Sequence, residues 1–277
     1  MTVLVTGATG SVGREVVAQL LQMDVEVRAS TRDPSSASFP DGVVARAVDL
    51  ERPETLSAAL EHADAVHLFP TFEDPDGIAR ALSDSDVRRV VLLSSISTSL
   101  PDAETQFNAS RFLRLERAIE ATGIPFTFLR AGEFAGNIRF YAPGLSEGSV
   151  RVPFLDSLHL PLDERDIAEV ATIALTSDAL SGQKPRLTGE QVLSLREEIE
   201  AIGAALGRTI DITELSEDEA VERFAAQAPR PLIAAMLQIW KSTIGHPPEA
   251  SSEVRRITGH APRAFAGWAR DHADEFR

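Results

Sequence analysis

Short, largely apolar segments alternate with amphipathic segments along the first half of the chain. A short segment made mostly of apolar residues indicates a strand covered on both faces, which is typical of parallel sheets. These segments are Thr2–Thr6, Val25–Ser30, Val43–Val48, Ala65–Phe69, Val90–Leu93 and Pro125–Leu129. Between them, apolar residues recur at helical spacing in Val12–Gln22, Thr55–Glu61, Ile78–Ser83 and Thr105–Ala121. The alternation predicts an α/β fold with a doubly wound parallel sheet.

The pattern changes after about residue 140, where glycine and proline interrupt the chain and helical periodicity then dominates. A helix at Asp166–Leu175 and a strand at Arg186–Thr188 are predicted first. Further helices are predicted at Leu195–Leu206, Glu217–Ala226, Pro231–Ile244 and Pro262–Phe276. We therefore expect a sheet domain in residues 1–140, to which residues 150–188 return. Residues 141–277 are expected to form a smaller, mostly helical C-terminal lobe.

Composition and charge narrow the class of partner. The chain has 277 residues and a formal net charge of −15, and it contains no cysteine. An acidic surface repels nucleic-acid phosphates and anionic lipid, so we expect neither nucleic acid nor membrane as a partner. The lack of cysteine excludes disulfides and thiol catalysis. The chain opens directly on strand residues, without a basic segment or a long apolar run, which predicts a cytoplasmic protein.

The most informative motif, TGATGSVG at residues 6–13, follows the first strand and opens the first helix. Glycines at these positions permit a tight turn and a close approach of backbone to a pyrophosphate, and the helix N-terminus offers free N–H groups. The context of strand, glycine turn and helix predicts a Rossmann dinucleotide site. The expected contacts are Gly7, Thr9, Gly10, Ser11, Val12 and Gly13.

The spacing Gly-x-x-Gly-x-x-Gly resembles the short-chain dehydrogenase/reductase superfamily. The wider match is to its atypical branch, the NmrA-like and NAD(P)H-dependent quinone-reductase-like proteins. The segments that carry the resemblance run in the family's order along nearly the whole chain: RASTRDP from Arg28, VDL from Val48, VLLSS from Val91, IEATGIPFTFLR from Ile119, DIAEVA from Asp166 and PRAFAGWA from Pro262. The match is specific for fold and cofactor and leaves the substrate open.

The end of the second predicted strand indicates the form of the cofactor. An NAD site usually has Asp or Glu there, whereas this chain has Arg32, which can pair with a 2′-phosphate. The alternative is an ion pair between Arg32 and Asp33. We expect NADP(H) in preference to NAD(H). The resemblance further implies that Asp49 and Leu50 border the adenine, and that Phe69, Pro70 and Ser94 line the cofactor.

The acid of tyrosine-dependent short-chain reductases is missing. Those enzymes use a Tyr-x-x-x-Lys pair, in which Tyr protonates the carbonyl oxygen. This chain has one tyrosine, Tyr141, followed four residues later by Leu145, and the resemblance places Asn108 and Phe112 near the pair's positions. Candidate catalytic groups are Ser94, Tyr141 and His159, and Glu133 and Asp163 are further possible acids.

Aromatic residues suggest an apolar substrate pocket. Its expected members are Phe107, Phe134, Asn137, Tyr141 and Trp240, although core packing explains some of them equally well. The histidines show no metal-ligand spacing along the chain, so no metal site is expected.

Three functions remain open. The first is an NADPH-dependent reductase of a conjugated, quinone-like or aromatic small molecule. Reduction of such an acceptor needs little help from a general acid. The second is a non-catalytic regulator that senses NADP(H). The third is a pathway enzyme without redox chemistry that uses the fold as a scaffold. We expect a small-molecule partner and either a monomer or a homodimer.

Overall fold

The computed structural model describes residues 1–225 and 230–277, which divide into two compact units. The first unit comprises residues 1–131 and 164–187, and the second comprises residues 132–163 and 188–277. The described strands, in chain order, are β1 Thr2–Val5, β2 Glu26–Thr31, β3 Val44–Ala47, β4 Ala65–Leu68, β5 Val90–Ser95, β6 Phe126–Ala131, β7 Ser149–Pro153, β8 Leu158–His159, β9 Arg186–Leu187, β10 Leu193–Ser194 and β11 Asp211–Leu215.

The described helices, in chain order, are α1 Ser11–Gln22, α2 Glu54–Leu60, α3 Pro75–Ser83, α4 Phe107–Glu120, α5 Ala142–Glu147, α6 Glu164–Thr176, α7 Leu195–Leu206, α8 Glu217–Phe224, α9 Arg230–Ser242, α10 Glu253–Thr258 and α11 Phe265–Asp271. Short 3-10 helices occupy Ile96–Ser99, Ala135–Tyr141 and Ala273–Phe276. In residues 1–225 and 230–277, no helix is both long enough and apolar enough to cross a bilayer.

The first unit is a seven-stranded sheet in the order β3-β2-β1-β4-β5-β6-β9. Every neighbouring pair of strands runs parallel. Strands β1 and β4 are buried at every position, as expected for central strands covered by helices on both faces. The strand order reverses between β1 and β4, which is where doubly wound sheets bind ligands at their carboxyl ends. The predicted fold class is confirmed.

The second unit is mostly helical, with two small sheets that the sequence analysis did not predict. Strand β11 pairs with β7 in parallel, and β10 pairs with β8 in antiparallel orientation. Two of these strands are only two residues long, too short for a periodic signal. Its core contains fully buried Phe224, Phe265, Trp268 and Phe276.

Two helix predictions in this unit are close to the structure, whereas the predicted helix Pro262–Phe276 is divided into α11 and the 3-10 helix Ala273–Phe276. Helix α7 matches the predicted Leu195–Leu206, and α8 begins at the predicted residue and ends at Phe224. Residue 226, the predicted end of α8, lies outside the described residues. Helix α10 was not predicted.

The predicted division of the chain differs from the observed one at two places. Residues 132–140 and 150–163 belong to the second unit, not to the sheet unit. The cause is local packing after β6: the 3-10 helix Ala135–Tyr141 places Ile138 and Tyr141 in the core of the second unit. Strands β7 and β8 then pair within that unit instead of adding to the large sheet.

Strand β4 contains a buried histidine without hydrogen bonds from its ring. His67 is 1% exposed and lies in register between Val5 of β1 and Val91 of β5. In the part of the chain that the structure describes, neither ring nitrogen has a hydrogen-bond partner. Burial lowers the pKa of His67 to about 4 because the charged form cannot be solvated there.

His67 therefore makes the fold sensitive to acid. An unfolded histidine titrates near pH 6.5, so the unfolded chain takes up this proton first as the pH falls. The contribution to the free energy of unfolding is complete above pH 6.5 and falls by roughly 3 kcal/mol on going to pH 4. We expect His67→Leu to remove this component, as measured by urea unfolding at pH 7 and pH 4.5. The control is His246→Asn, at an exposed position. Parallel pH dependences for the wild type and His67→Leu would contradict this account.

Candidate functional site

The turn between β1 and α1 forms an open backbone cradle in the first unit. Gly7 has φ +63°, and the N–H of Gly10 donates to the carbonyl of Gly7 at 2.9 Å. Gly10 is the N-cap of α1 and brings no side chain to cap the helix. The first N–H groups of the helix are therefore not satisfied by a capping side chain, and they suit an anion such as a pyrophosphate.

Two glycines of the cradle are sterically required. A Cβ at position 13 would lie 2.2 Å from the carbonyl oxygen of Gly7, and a Cβ at position 7 would lie 2.8 Å from the Cβ of Phe69. Any side chain at either position would force the backbone or a packed ring to move. The cradle thus has the close approach of turn, helix and neighbouring strand that a dinucleotide site needs.

A hydrogen-bonded pair ties this cradle to the end of β4. The N–H of Phe69 donates to Thr6 Oγ1 at 2.6 Å, and Thr6 Oγ1 donates to the carbonyl of His67 at 3.1 Å. Phe69 is 44% exposed and its ring borders Gly7, while Pro70 is half-buried. The carboxyl ends of β1 and β4 are therefore held together at the point where the strand order reverses.

The ends of β2 and β3 carry the residues expected near the adenosine. Arg32 is exposed at the end of β2. The carboxylate of Asp33 accepts from the N–H and the hydroxyl of Ser35 at 2.9 and 2.6 Å, and these bonds lower the pKa of Asp33. In residues 1–225 and 230–277, Arg32 has no ion-pair partner, so the alternative pair with Asp33 does not form.

Asp49, after β3, is held by its neighbours. Its carboxylate accepts from Arg52 Nε at 3.3 Å and from the N–H of Glu51 at 3.2 Å. Its own N–H donates to Thr55 Oγ1 at 2.9 Å. The half-buried Leu50 accepts from Thr71 Oγ1 through its carbonyl at 3.3 Å. Both residues thus lie on a fixed loop.

Ser94 belongs to a buried ionic network that the sequence analysis missed. Its hydroxyl donates to Glu116 Oε1 at 2.6 Å. Arg130 donates to both oxygens of the same carboxylate, at 3.1 and 2.6 Å, and Lys184 Nζ lies 3.9 Å from it. The Glu116 side chain is 1% exposed. The network joins β5, α4 and β6. The Ser94 hydroxyl, a predicted catalytic candidate, is thus hydrogen-bonded within it.

Helix α4 carries Asn108 and Phe112, which the resemblance implies are near the positions of the acid pair. Asn108 lies in its first turn, and Phe112 packs edge-on against Phe72 with ring centroids 4.8 Å apart. The Arg111 guanidinium lies 4.2 Å from the centroid of Phe72 and 5.4 Å from that of Phe107. Phe107, predicted as a pocket residue, is 50% exposed. These positions therefore carry an aromatic and cationic surface without a general acid.

The other predicted site residues lie in the second unit, where a histidine meets two carboxylates. His159 Nδ1 lies 3.0 Å from Glu198 Oε1 and 3.4 Å from Glu133 Oε2. His159 Nε2 lies 3.0 Å from Ser157 Oγ. Ser157, His159 and Glu198 are 0%, 4% and 3% exposed. Ser157 and Glu198 were not singled out from the sequence, because neither has a motif around it.

Burial controls protonation in this cluster. It raises the pKa of Glu198 to about 8. It also raises the pKa of Glu133 to about 7, although His159 and a hydrogen bond from Asn137 act in the opposite direction. Burial and the two nearby carboxylates raise the pKa of Tyr141, so Tyr141 is a poorer proton donor than an ordinary tyrosine.

The remaining pocket residues pack within the same unit. The Trp240 ring centroid lies 6.4 Å from that of His159, and Phe134 forms a bridge with Leu162. Phe134 and Trp240 are half-buried, and Asn137 is exposed. Tyr141 is 4% exposed and belongs to the core of the unit, so packing accounts for much of its position.

A family model described as NAD(P)H-binding matches residues 7–146, which include the whole cradle. A (4-alkanoyl-5-oxo-2,5-dihydrofuran-3-yl)methyl phosphate reductase of Streptomyces griseus is 34% identical over 99% of each chain. The chain belongs to the NAD(P)H-binding family. The resemblance to NmrA-like, atypical short-chain reductases is confirmed, and the family is one of NAD(P)H-dependent reductases.

Two further similarities support this assignment. An NAD(P)H azoreductase of Xenophilus azovorans is 31% identical, again over 99% of each chain. The solved structure of an Escherichia coli NADPH-dependent quinone oxidoreductase complexed with NADPH superimposes with a TM-score of 0.79 at 19% identity, covering 97% of this chain and 99% of that one. The structural match supports the fold.

The family membership and the cradle point to the same cofactor class. The close approach of α1 to the turn, which Gly7 and Gly13 permit, and the uncapped start of α1 fit a nicotinamide dinucleotide. The backbone of residues 7–13 would hold its pyrophosphate.

Gly13→Ala tests the cradle. The added methyl would lie 2.2 Å from the carbonyl oxygen of Gly7, so the helix start must move away from the turn. We expect NADPH affinity to fall by about 100-fold or more, because the pyrophosphate contacts depend on this approach. The measurement is a fluorescence titration with NADPH. The control is Gly267→Ala in α11, where a Cβ meets nothing closer than 3.9 Å. Equal affinity of Gly13→Ala and the wild type would place the dinucleotide elsewhere.

Proposed function

We propose that the protein is an NADPH-dependent reductase of a conjugated, quinone-like or aromatic, small molecule. The observation that carries the proposal is the combination of a complete dinucleotide cradle with an α4 that contains neither tyrosine nor lysine. The resemblance implies that Asn108 and Phe112 stand near the positions of the acid pair of the tyrosine-dependent enzymes, and Phe112 packs on Phe72. A reductase built this way suits acceptors that need little proton assistance.

The chemistry of the acceptor follows from this lack of an acid. When bound, NADPH supplies a hydride, that is, two electrons and one proton. A conjugated acceptor spreads the resulting negative charge over its π system, so water can supply the balancing proton. An isolated carbonyl would place the same charge on one oxygen and require a positioned acid. The two relatives above are named for an azo and for an unsaturated furanone acceptor, both conjugated.

The protein's own contribution is then binding and orientation. The N–H groups at the start of α1 bind the pyrophosphate, and the loop after β3, with Asp49 and Leu50, borders the adenine. Phe69 and Pro70 cover the dinucleotide beside Gly7. The exposed Phe107 ring and the Arg111 guanidinium offer an aromatic surface to a flat acceptor.

The preference for NADP(H) rests on Arg32. Its guanidinium is exposed at the end of β2, and Asp33 is engaged by Ser35. A free guanidinium at this position suits a 2′-phosphate, whereas an NAD site would present a carboxylate to the ribose.

Arg32→Gln tests this preference. Loss of a charge-assisted bond to the 2′-phosphate is expected to weaken NADPH binding by about 10- to 100-fold, with NADH affinity unchanged. Parallel titrations with NADPH and NADH measure the ratio. Arg80→Gln is the control, because Arg80 is 68% exposed and its ion-pair partner is Asp74. A variant that loses affinity for both dinucleotides equally would contradict a role at the 2′-phosphate.

The reductase activity itself is tested with purified protein, NADPH and a panel of quinones, azo dyes and unsaturated lactones. We expect acceptor-dependent loss of the reduced-nicotinamide absorbance, with one NADPH oxidised per two-electron reduction. Gly13→Ala supplies the background rate. Tight NADPH binding without turnover on any acceptor would instead favour a sensor. Conversion of a substrate without change in mass would favour a non-redox enzyme.

A further inference from the structure

The buried cluster of the second unit has the composition of a cation site. Its three donor residues come from separate segments: Glu133 follows β6, His159 ends β8 and Glu198 lies in α7. One donor atom from each lies within 4.8 Å of the others. The donor set is one imidazole nitrogen and two carboxylate oxygens, and zinc accepts both kinds of donor atom.

The distances fit a cation between the donors. His159 Nδ1 lies 3.0 and 3.4 Å from the facing oxygens of Glu198 and Glu133. Zinc binds such nitrogens and oxygens at about 2.0–2.2 Å, which places neighbouring donors in a tetrahedron roughly 3.4 Å apart. The two distances from His159 Nδ1 are thus within a few tenths of an ångström of the separation that a shared cation requires, and the two carboxylate oxygens lie within 4.8 Å of each other.

Ser157 is compatible with the tautomer of His159 that can bind a metal. Its hydroxyl oxygen lies 3.0 Å from His159 Nε2, so an N–H on Nε2 can donate to it. The lone pair of Nδ1 then faces two carboxylates, an arrangement that is repulsive unless a proton or a cation lies among them. A hydrogen bond from the distal nitrogen of a ligating histidine is the usual outer-shell support of a metal site.

The negative charges of the two carboxylates also need a neutralising group. Within residues 1–225 and 230–277, neither Glu133 nor Glu198 forms an ion pair with lysine or arginine, and His159 is the one basic group beside them. A neutral histidine and a divalent cation would bring the site to zero net charge. Because the Glu133 side chain is 23% exposed, a cation has a path to the site.

A separate observation points to a ligand in the open position. The hydroxyl of Tyr141 is buried and has no hydrogen-bond partner among the described residues, and Tyr141 as a whole is 4% exposed. It lies close enough to Glu133 and Glu198 for their charges to act on it. A buried hydroxyl normally has a partner, and a water on a bound cation would supply one.

We propose that Glu133, His159 and Glu198 bind a divalent transition-metal cation of the Zn²⁺ type, with Ser157 in hydrogen-bond contact with His159. The site lies wholly in the second unit. It can be tested without dinucleotide, so its failure would leave the proposed reductase function untouched.

The experiment begins with full-length protein stripped with a chelator and dialysed. Zn²⁺ is titrated by calorimetry, bound metal is counted by elemental analysis, and Co²⁺ serves as a spectroscopic probe. We expect one Zn²⁺ per chain, a visible Co²⁺ absorption typical of four-coordinate sites, and a Tm rise of roughly 5 °C with Zn²⁺ in large excess over Kd. Mg²⁺, which prefers six oxygen ligands, is expected to have no such effect.

Variants locate the site. Glu198→Gln keeps the side-chain shape and removes one ligand, so we expect the Zn²⁺ stoichiometry and the Tm rise to be lost while the circular dichroism spectrum stays unchanged. Ser157→Ala keeps all three ligands and should weaken Zn²⁺ binding by about 10- to 100-fold. The control is His246→Asn, an exposed histidine outside the cluster, which should bind Zn²⁺ like the wild type.

Two results would overturn the proposal. One is a wild-type protein that binds no Zn²⁺ after stripping, in which case protons alone balance the carboxylates. The other is a Glu198→Gln protein that binds Zn²⁺ with unchanged stoichiometry and affinity, which would place the metal at surface histidines.

Discussion

The cofactor cradle depends on how closely α1 approaches the turn that precedes it. There is no room for a methyl group between position 13 and the carbonyl of Gly7, and none between position 7 and Phe69. These two contacts fix where the first N–H groups of the helix point. The bond between Thr6 and Phe69 then holds the carboxyl ends of β1 and β4 at a constant separation. Strands β1 and β4, which hold this turn, are central strands of the sheet.

The network around Glu116 gives the Ser94 hydroxyl a structural role. A carboxylate buried this deeply is stable because Arg130 donates to both of its oxygens and Ser94 completes its hydrogen bonds. The serine hydroxyl is therefore committed to structure. By the resemblance, Phe112, which packs on Phe72, stands near the position of the lysine. The first unit has the fold of the NAD(P)H-binding family, and its α4 has neither tyrosine nor lysine.

The buried carboxylates of the second unit are surrounded by different charges from those around Glu116. Glu116 is neutralised by arginine, whereas Glu198 faces a histidine and a second carboxylate, Glu133. Burial without a strong cation raises the pKa of both glutamates into the neutral range. The negative charge of such a buried cluster must be neutralised, either by protons on the carboxylates or by a bound metal cation.

The sequence alone determined the fold class, the cofactor class and the missing acid. Each of these rests on local information: continuous apolar strands, a glycine turn between strand and helix, and a single tyrosine without a lysine four residues later. The bounds of α7 followed in the same way from helical periodicity. The sequence did not predict the short strands β8 and β10, because two-residue strands carry no period.

Only the tertiary structure decided which side chains act together. Ser94, Glu116 and Arg130 are far apart in sequence and meet because parallel strands place their carboxyl ends side by side. Glu133, His159 and Glu198 likewise come from three segments, so no spacing along the chain could reveal them. Burial raises the pKa of these glutamates, and it depends on how the whole chain packs, so it cannot be predicted from any one segment of the sequence.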